Sequence, residues 1–219
     1  MKSVTERKRT VLSVCMVFIV LSAVFLLGGC GMSGDHYFLK GVEAYSDDDW
    51  STAIENLKKA EELGVRDYEE TEVYTYLGGS YLELDMYDNA IAYYQKVLDS
   101  GSAEVNDYVN IAVAYRQSGD TQMAIKYYMI ALQIDPDYAE LNSSLGSLYI
   151  LEGRPEKAIP YFEKALSKNP SLAVTYGNAA LAYAMIGDFE KADSYLEQAV
   201  IRGYDNADII RERIDELRR

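Results

Sequence analysis

The chain has 219 residues, 49% of them apolar, and 35 acidic against 21 basic residues, a formal charge of -14. This length leaves room for one or two domains, and this charge excludes nucleic acid as a main partner, because phosphate binding needs a basic face. Tyr is abundant at 20 copies, His and Trp occur once each, and the two cysteines, Cys15 and Cys30, are too few for a disulfide framework.

Residues 1–29 carry a basic head (Lys2, Arg7, Lys8, Arg9), then an uncharged apolar run from Val11 to Leu27, then Gly28 and Gly29. That is the order of an export signal. The stretch "LLGGC" ending at Cys30 resembles the lipobox of bacterial lipoproteins. The resemblance implies that 1–29 is a signal peptide, that a diacylglyceryl group is attached to the Cys30 sulfur, and that a peptidase cuts just before it. Two or three acyl chains anchor a protein stably. Two alternatives stand beside this. One is an uncleaved anchor helix, although the run is short of the roughly 20 residues that span a bilayer. The other is a plain secretory signal with an incidental cysteine. Both still export the rest of the chain, since the basic residues precede the apolar run. Loss of 1–29 leaves 17 basic and 34 acidic residues. Such a chain does not adhere to an anionic membrane by charge, so the expected location, on the exported side of a cell membrane or outer membrane, depends on the lipid. Residues 30–34 form a tether. Five residues reach at most about 17 Å, which holds the repeat domain close to the lipid surface.

From Asp35 onward the chain repeats. One column reads Gly41, Gly78, Ala112, Gly146, Ala180; the next Ala44, Tyr81, Tyr115, Tyr149, Tyr183. Two more read Ala53, Ala90, Ala124, Ala158, Ala192 and Ala60, Val97, Ala131, Ala165, Ala199. The spacing is 37 residues for the first step and 34 thereafter, a period that means a solenoid. In "EGRPEKAIPYFEKALSKNP", Gly153 breaks the chain, Pro155 starts a helix and Pro170 follows its end. Ala158, Phe162 and Ala165 then share one face. The small columns mark close helix crossings, with the Tyr column filling the space beside them. The three extra residues of the first step fall near "GVRDYEE", in a connection expected to tolerate insertion.

Pieces such as "IAVAYRQSGDTQMAIKYYMIALQIDP" and "LGSLYILEGRPEKAIPYFEKALSKNP" resemble the tetratricopeptide repeat. The resemblance covers residues 35–205 as five units. The first is the weakest, with Ala44 in place of the usual Tyr and Asp48 in place of the turn Gly. It implies an all-α, right-handed superhelical solenoid whose first helices line a concave, protein-binding face. The last stretch, "NADIIRERIDELRR" (206–219), reads as a capping helix: Asn206 can cap it, and Ile210, Ile214 and Leu217 form a narrow apolar stripe.

No catalytic constellation is legible. His36 is alone, the cysteine of the exported part is the lipid acceptor, and no zinc-type cluster occurs. The acidic "SDDDW" lacks the spaced ligands of a calcium loop. The chain therefore reads as a non-enzyme without metal or cofactor. Residues 43–72 hold 11 acidic and 3 basic residues, a solvated face that a basic partner could use. By family analogy the groove carries Tyr76, Asn110, Arg116, Ser144, Asn178 and Leu181. The positions where some members clamp a chaperone's C-terminal carboxylate with lysines hold Phe38, Val42, Tyr76, Asn106 and Asn110 here, which argues against that activity. The uncharged row Asn110, Ser144, Asn178 offers donors and acceptors suited to the backbone of an extended peptide, or is merely the wetted surface of the helices. The expected function is a lipid-anchored scaffold for protein or peptide partners in the bacterial envelope. An envelope protein binding glycan or a small molecule is the alternative.

Overall fold

The computed structural model describes residues 33–219; the expected signal peptide and Cys30 lie outside them. Every regular element in the described part is an α-helix. Five pairs follow one another: α1 Gly34–Ser46 with α2 Trp50–Leu63, α3 Glu70–Glu83 with α4 Tyr87–Asp99, α5 Val105–Ser118 with α6 Thr121–Ile134, α7 Ala139–Leu151 with α8 Pro155–Lys168, and α9 Ala173–Met185 with α10 Phe189–Ile201. A single helix, α11 Ala207–Leu217, ends the chain. Each paired helix packs most against its pair mate and next against its neighbours in the chain, while α11 packs most against α9 and then against α10.

Turn chemistry sets the pairs. The turn inside each unit passes through one left-handed residue: Asp48 (φ 59°), Asp85 (φ 57°), Gly119 (φ 90°), Gly153 (φ 68°) and Gly187 (φ 82°). Asp tolerates this region better than most residues with a side chain, so the first two units keep the turn without glycine. Pro155 occupies the first turn of α8, where its missing N–H removes no bond.

The small columns lie where the two helices of a unit cross. A Cβ added to Gly41, Gly78 or Gly146 would stand 2.5 Å from Leu57 Cγ, 2.7 Å from Tyr94 Cε1 or 2.6 Å from Phe162 Cε1. Ala53, Ala90, Ala124, Ala158 and Ala192 are all completely buried. The Tyr column stacks on a second tyrosine twelve positions later: Tyr81 on Tyr93, Tyr115 on Tyr127 and Tyr149 on Tyr161, each with centroids 5.6 Å apart, and Tyr183 on Tyr195 at 5.2 Å. The first unit, with Ala44 in that column, uses Tyr45 instead, which meets Trp50 and Tyr76 edge-on at 4.9 and 5.1 Å.

Two expectations need correction. The longer connection between the first and second units is a fixed contact. The Asp35 carboxylate accepts the backbone N–H groups of Arg66 (2.7 Å) and Asp67 (3.1 Å), and Tyr68 packs on Phe38 at 4.5 Å. The extra residues thus reach back to α1. In α11, Ala207, Ile210 and Ile214 are buried against α9 and α10, but Leu217 is 38% exposed, and Asn206 stands at the cap position without a side-chain capping bond. A four-residue step keeps Ile210 and Ile214 on one stripe, and Leu217 is in the last turn, where the helix runs past its support.

Candidate functional site

The first helices of the units, α1, α3, α5, α7 and α9, form one face of the solenoid. α1 touches α3, α3 touches α5, and α7 touches α9 directly. The sequence-derived candidates all stem from these helices, but they meet different fates. Tyr76 on α3 is half-buried and edge-on to Phe38 and Tyr45 of α1, at 5.8 and 5.1 Å. Burial, and after it the Glu83 carboxylate, push the Tyr45 hydroxyl up. Asn110 and Ser144 are half-buried and enter no side-chain hydrogen bond among the described residues. Leu181 is half-buried against the terminal core formed by α9, α10 and α11.

Arg116 and Asn178 each act on a neighbour within the chain. Arg116 is exposed near the end of α5, and it opposes the rise that burial gives the pKa of the Tyr128 hydroxyl on α6. The Asn178 amide donates to the Ser147 hydroxyl at 3.0 Å, and Ser147 donates to the Ser143 carbonyl. One turn away, the hydroxyls of Ser143 and the buried Thr175 are 2.6 Å apart. A polar seam thus joins α7 to α9. Further along, Tyr204 covers Gly177, where an added Cβ would lie 2.5 Å from Tyr204 Cε1. The uncharged row therefore breaks up: its Asn110 end is open, and its Asn178 end is built into the solenoid.

The open part of the face contains a cleft of about 550 Å³ between the second and third units, lined by Thr71, Glu72, Thr75, Tyr76, Val97, Ser102, Glu104 and Asp107. Glu72 and Asp107 also hold the starts of their helices. The Glu69 N–H donates to Glu72 Oε2 at 2.9 Å, and the Glu104 N–H to Asp107 Oδ2 at 2.8 Å. Of the lining residues, Tyr76 was expected on the groove and Glu72 falls in the acidic stretch 43–72, whereas Ser102, Glu104 and Asp107 were not singled out. The available signal was the shortage of basic residues, which extends well beyond residue 72. Among the described residues, no group of three or more His, Cys, Asp or Glu is placed to hold a metal ion. No helix there is long and apolar enough to cross a membrane.

Models of the tetratricopeptide repeat match residues 38–104, 103–168 and 137–200. The chain belongs to the tetratricopeptide-repeat (TPR) family. TPR proteins are generally non-enzymatic scaffolds. Among solved structures the TPR array is similar to MamA, with a TM-score of 0.70 and 24% identity over 80% of this chain and 94% of that one. A second MamA structure gives 0.68 and 25% identity over 77% and 96%. YrrB, a TPR protein with an unusual peptide-binding site, gives 0.68 and 22% identity over 81% and 91%. At such identities the likeness is one of fold. A curated relative, FK506-binding protein 5 of Rhizopus delemar, is 31% identical over 96 residues, which is 44% of this chain and 23% of that protein. The match thus spans under a quarter of that relative.

Proposed function

We propose that this TPR chain is a lipid-anchored scaffold of the bacterial cell envelope that holds a protein partner by an extended segment laid along its first helices. The observation that carries the groove is the open stretch from Tyr76 to Asn110: an aromatic corner, a cleft of about 550 Å³, and an unengaged side-chain amide beside it. The peptide-binding site of YrrB, on a similar fold, points the same way. The anchor rests on "LLGGC" and the basic head before it. A groove for glycan or a small molecule has less support, because eight of the tyrosines that could form a stacking floor are paired with one another.

Two measurements test this. Intact mass of the membrane fraction should show diacylglyceryl on Cys30 and an unprocessed precursor for Cys30→Ala; a mature chain beginning elsewhere without lipid overturns the anchor. A photo-crosslinking residue placed at Asn110 should give discrete protein adducts in the envelope, while one at Glu156 on the outer face of α8 should not. Equal labelling from both positions overturns the groove.

A further inference from the structure

Between Asp67 and Tyr115 the chain carries ten acidic residues and a single basic one, Lys96. That one cation is already engaged. Its ammonium is 2.6 Å from Glu61 Oε1 of α2 and lies 4.7 and 4.5 Å from the ring centroids of Tyr74 on α3 and Tyr93 on α4. The cleft between the second and third units therefore has no base within this stretch to neutralise it. Elsewhere in the array acids find partners within the chain: Asp137 has Lys164 and Lys168, each at 2.6 Å, and Asp193 has Arg218 at 2.7 Å.

The cleft is shaped as well as charged. Glu72 enters from α3, and Glu104 and Asp107 from the start of α5. Tyr76, Thr71, Thr75 and Ser102 line it together with the carboxylates, and the Thr75 hydroxyl, which donates to the Thr71 carbonyl, can still accept. Reciprocal capping takes up Glu72 Oε2 and Asp107 Oδ2. A carboxylate offers two oxygens, so each keeps one for a ligand. Helix N-termini favour these negative charges and hold them at fixed positions. Carboxylates, hydroxyl acceptors and an aromatic face are the groups that receive an ammonium or guanidinium on a long apolar stem.

We infer that the partner segment is basic: the cleft between α3 and α5 receives a Lys or Arg side chain of an extended peptide whose backbone continues toward Asn110. This names the chemistry of the partner and rests on the groove being the partner site. The polar seam at Asn178 then lies beyond the contact, and the segment need cover only the second and third units.

The test uses the full-length lipidated chain in nanodiscs and fluorescent twelve-residue peptides of a Gly/Ser frame bearing three Lys, three Arg, three Glu or no charge. Anisotropy should show the Lys and Arg peptides binding at least about tenfold tighter than the neutral one, with the Glu peptide weakest. The gap should shrink several-fold between low salt and about 0.5 M salt as charges are screened. The triple change Glu72→Gln, Glu104→Gln and Asp107→Asn keeps oxygens that can accept the capping bonds and should remove most of the preference. Glu156→Gln, Glu190→Gln and Glu212→Gln, on exposed positions of α8, α10 and α11, change the net charge equally and should leave the preference intact. Thr75→Lys, which puts a tethered cation into the cleft without touching either cap, should abolish binding of the basic peptides. Equal loss from both triples reduces the effect to net charge and overturns the site. A neutral peptide that binds as tightly as the basic ones, and is weakened by Asn110→Ala, keeps the groove and overturns its basic preference. Absence of binding by all four peptides overturns the inference together with the groove.

Discussion

The side-chain amide of Asn178 reaches across from α9 to the Ser147 hydroxyl of α7, 3.0 Å away, joining residues that sit 31 positions apart in the chain. Asn110 stands in the same column of the repeat, on α5, and has no such bond. Two asparagines of one column thus have different duties. Asn178→Ala should lower stability by about 0.5–1.5 kcal/mol, the net worth of a partly buried hydrogen bond. Asn110→Ala should change it by less than about 0.5 kcal/mol while weakening a groove peptide. Urea unfolding of the two variants side by side checks this; equal midpoints would contradict the seam.

Asp35 accepts two backbone N–H groups from the connection before α3, and these bonds hold its carboxyl below the usual carboxylate range, with the Arg66 N–H the larger cause. A folded-state pKa lower than the unfolded one contributes stability that is present above the unfolded value and is lost as pH falls through the folded one. Thermal midpoints of wild type and Asp35→Asn should therefore differ at pH 7 and converge as the pH drops below about 4. A constant difference across that range would show that the carboxylate charge is not what holds the connection.

Ala158 is completely buried on α8, in a column of alanines repeated in every unit. Ala158→Leu should destabilise the array by about 1–3 kcal/mol through overpacking at the helix crossing. An unchanged Tm would mean that the crossing has room to spare.

Asp48 holds φ at 59°, whereas its neighbour Asp47 has φ at -92°. Glycine takes a positive φ without strain but adds freedom to the unfolded chain. Asp48→Gly should therefore raise stability, by up to about 1 kcal/mol, the usual scale of left-handed strain. Asp47→Gly should lower it, since nothing is relieved there. Calorimetry on the pair separates backbone strain from loss of a surface charge, because both changes remove one carboxylate.

The helix pairs were legible in the sequence for a physical reason. A repeat returns the same local environment at each period, so the residue that fits it recurs: a small residue at Gly41, Gly78 and Gly146, where Leu57, Tyr94 and Phe162 leave no space for a Cβ, and a left-handed turn at Gly119, Gly153 and Gly187. These are contacts within one unit, set by spacing alone. The groove was legible only as a list of positions, because its character depends on contacts between units. Tertiary packing decided that Asn178 is spent on Ser147, that Tyr204 closes the face over Gly177, and that Asp35 clamps a connection which reads as a tolerant loop. It also brought Glu72, Tyr76, Glu104 and Asp107 around one cleft. Periodicity fixes what each helix does for its own unit; which side chains remain free for a partner is settled by neighbours some thirty residues away, whose reach no single period encodes.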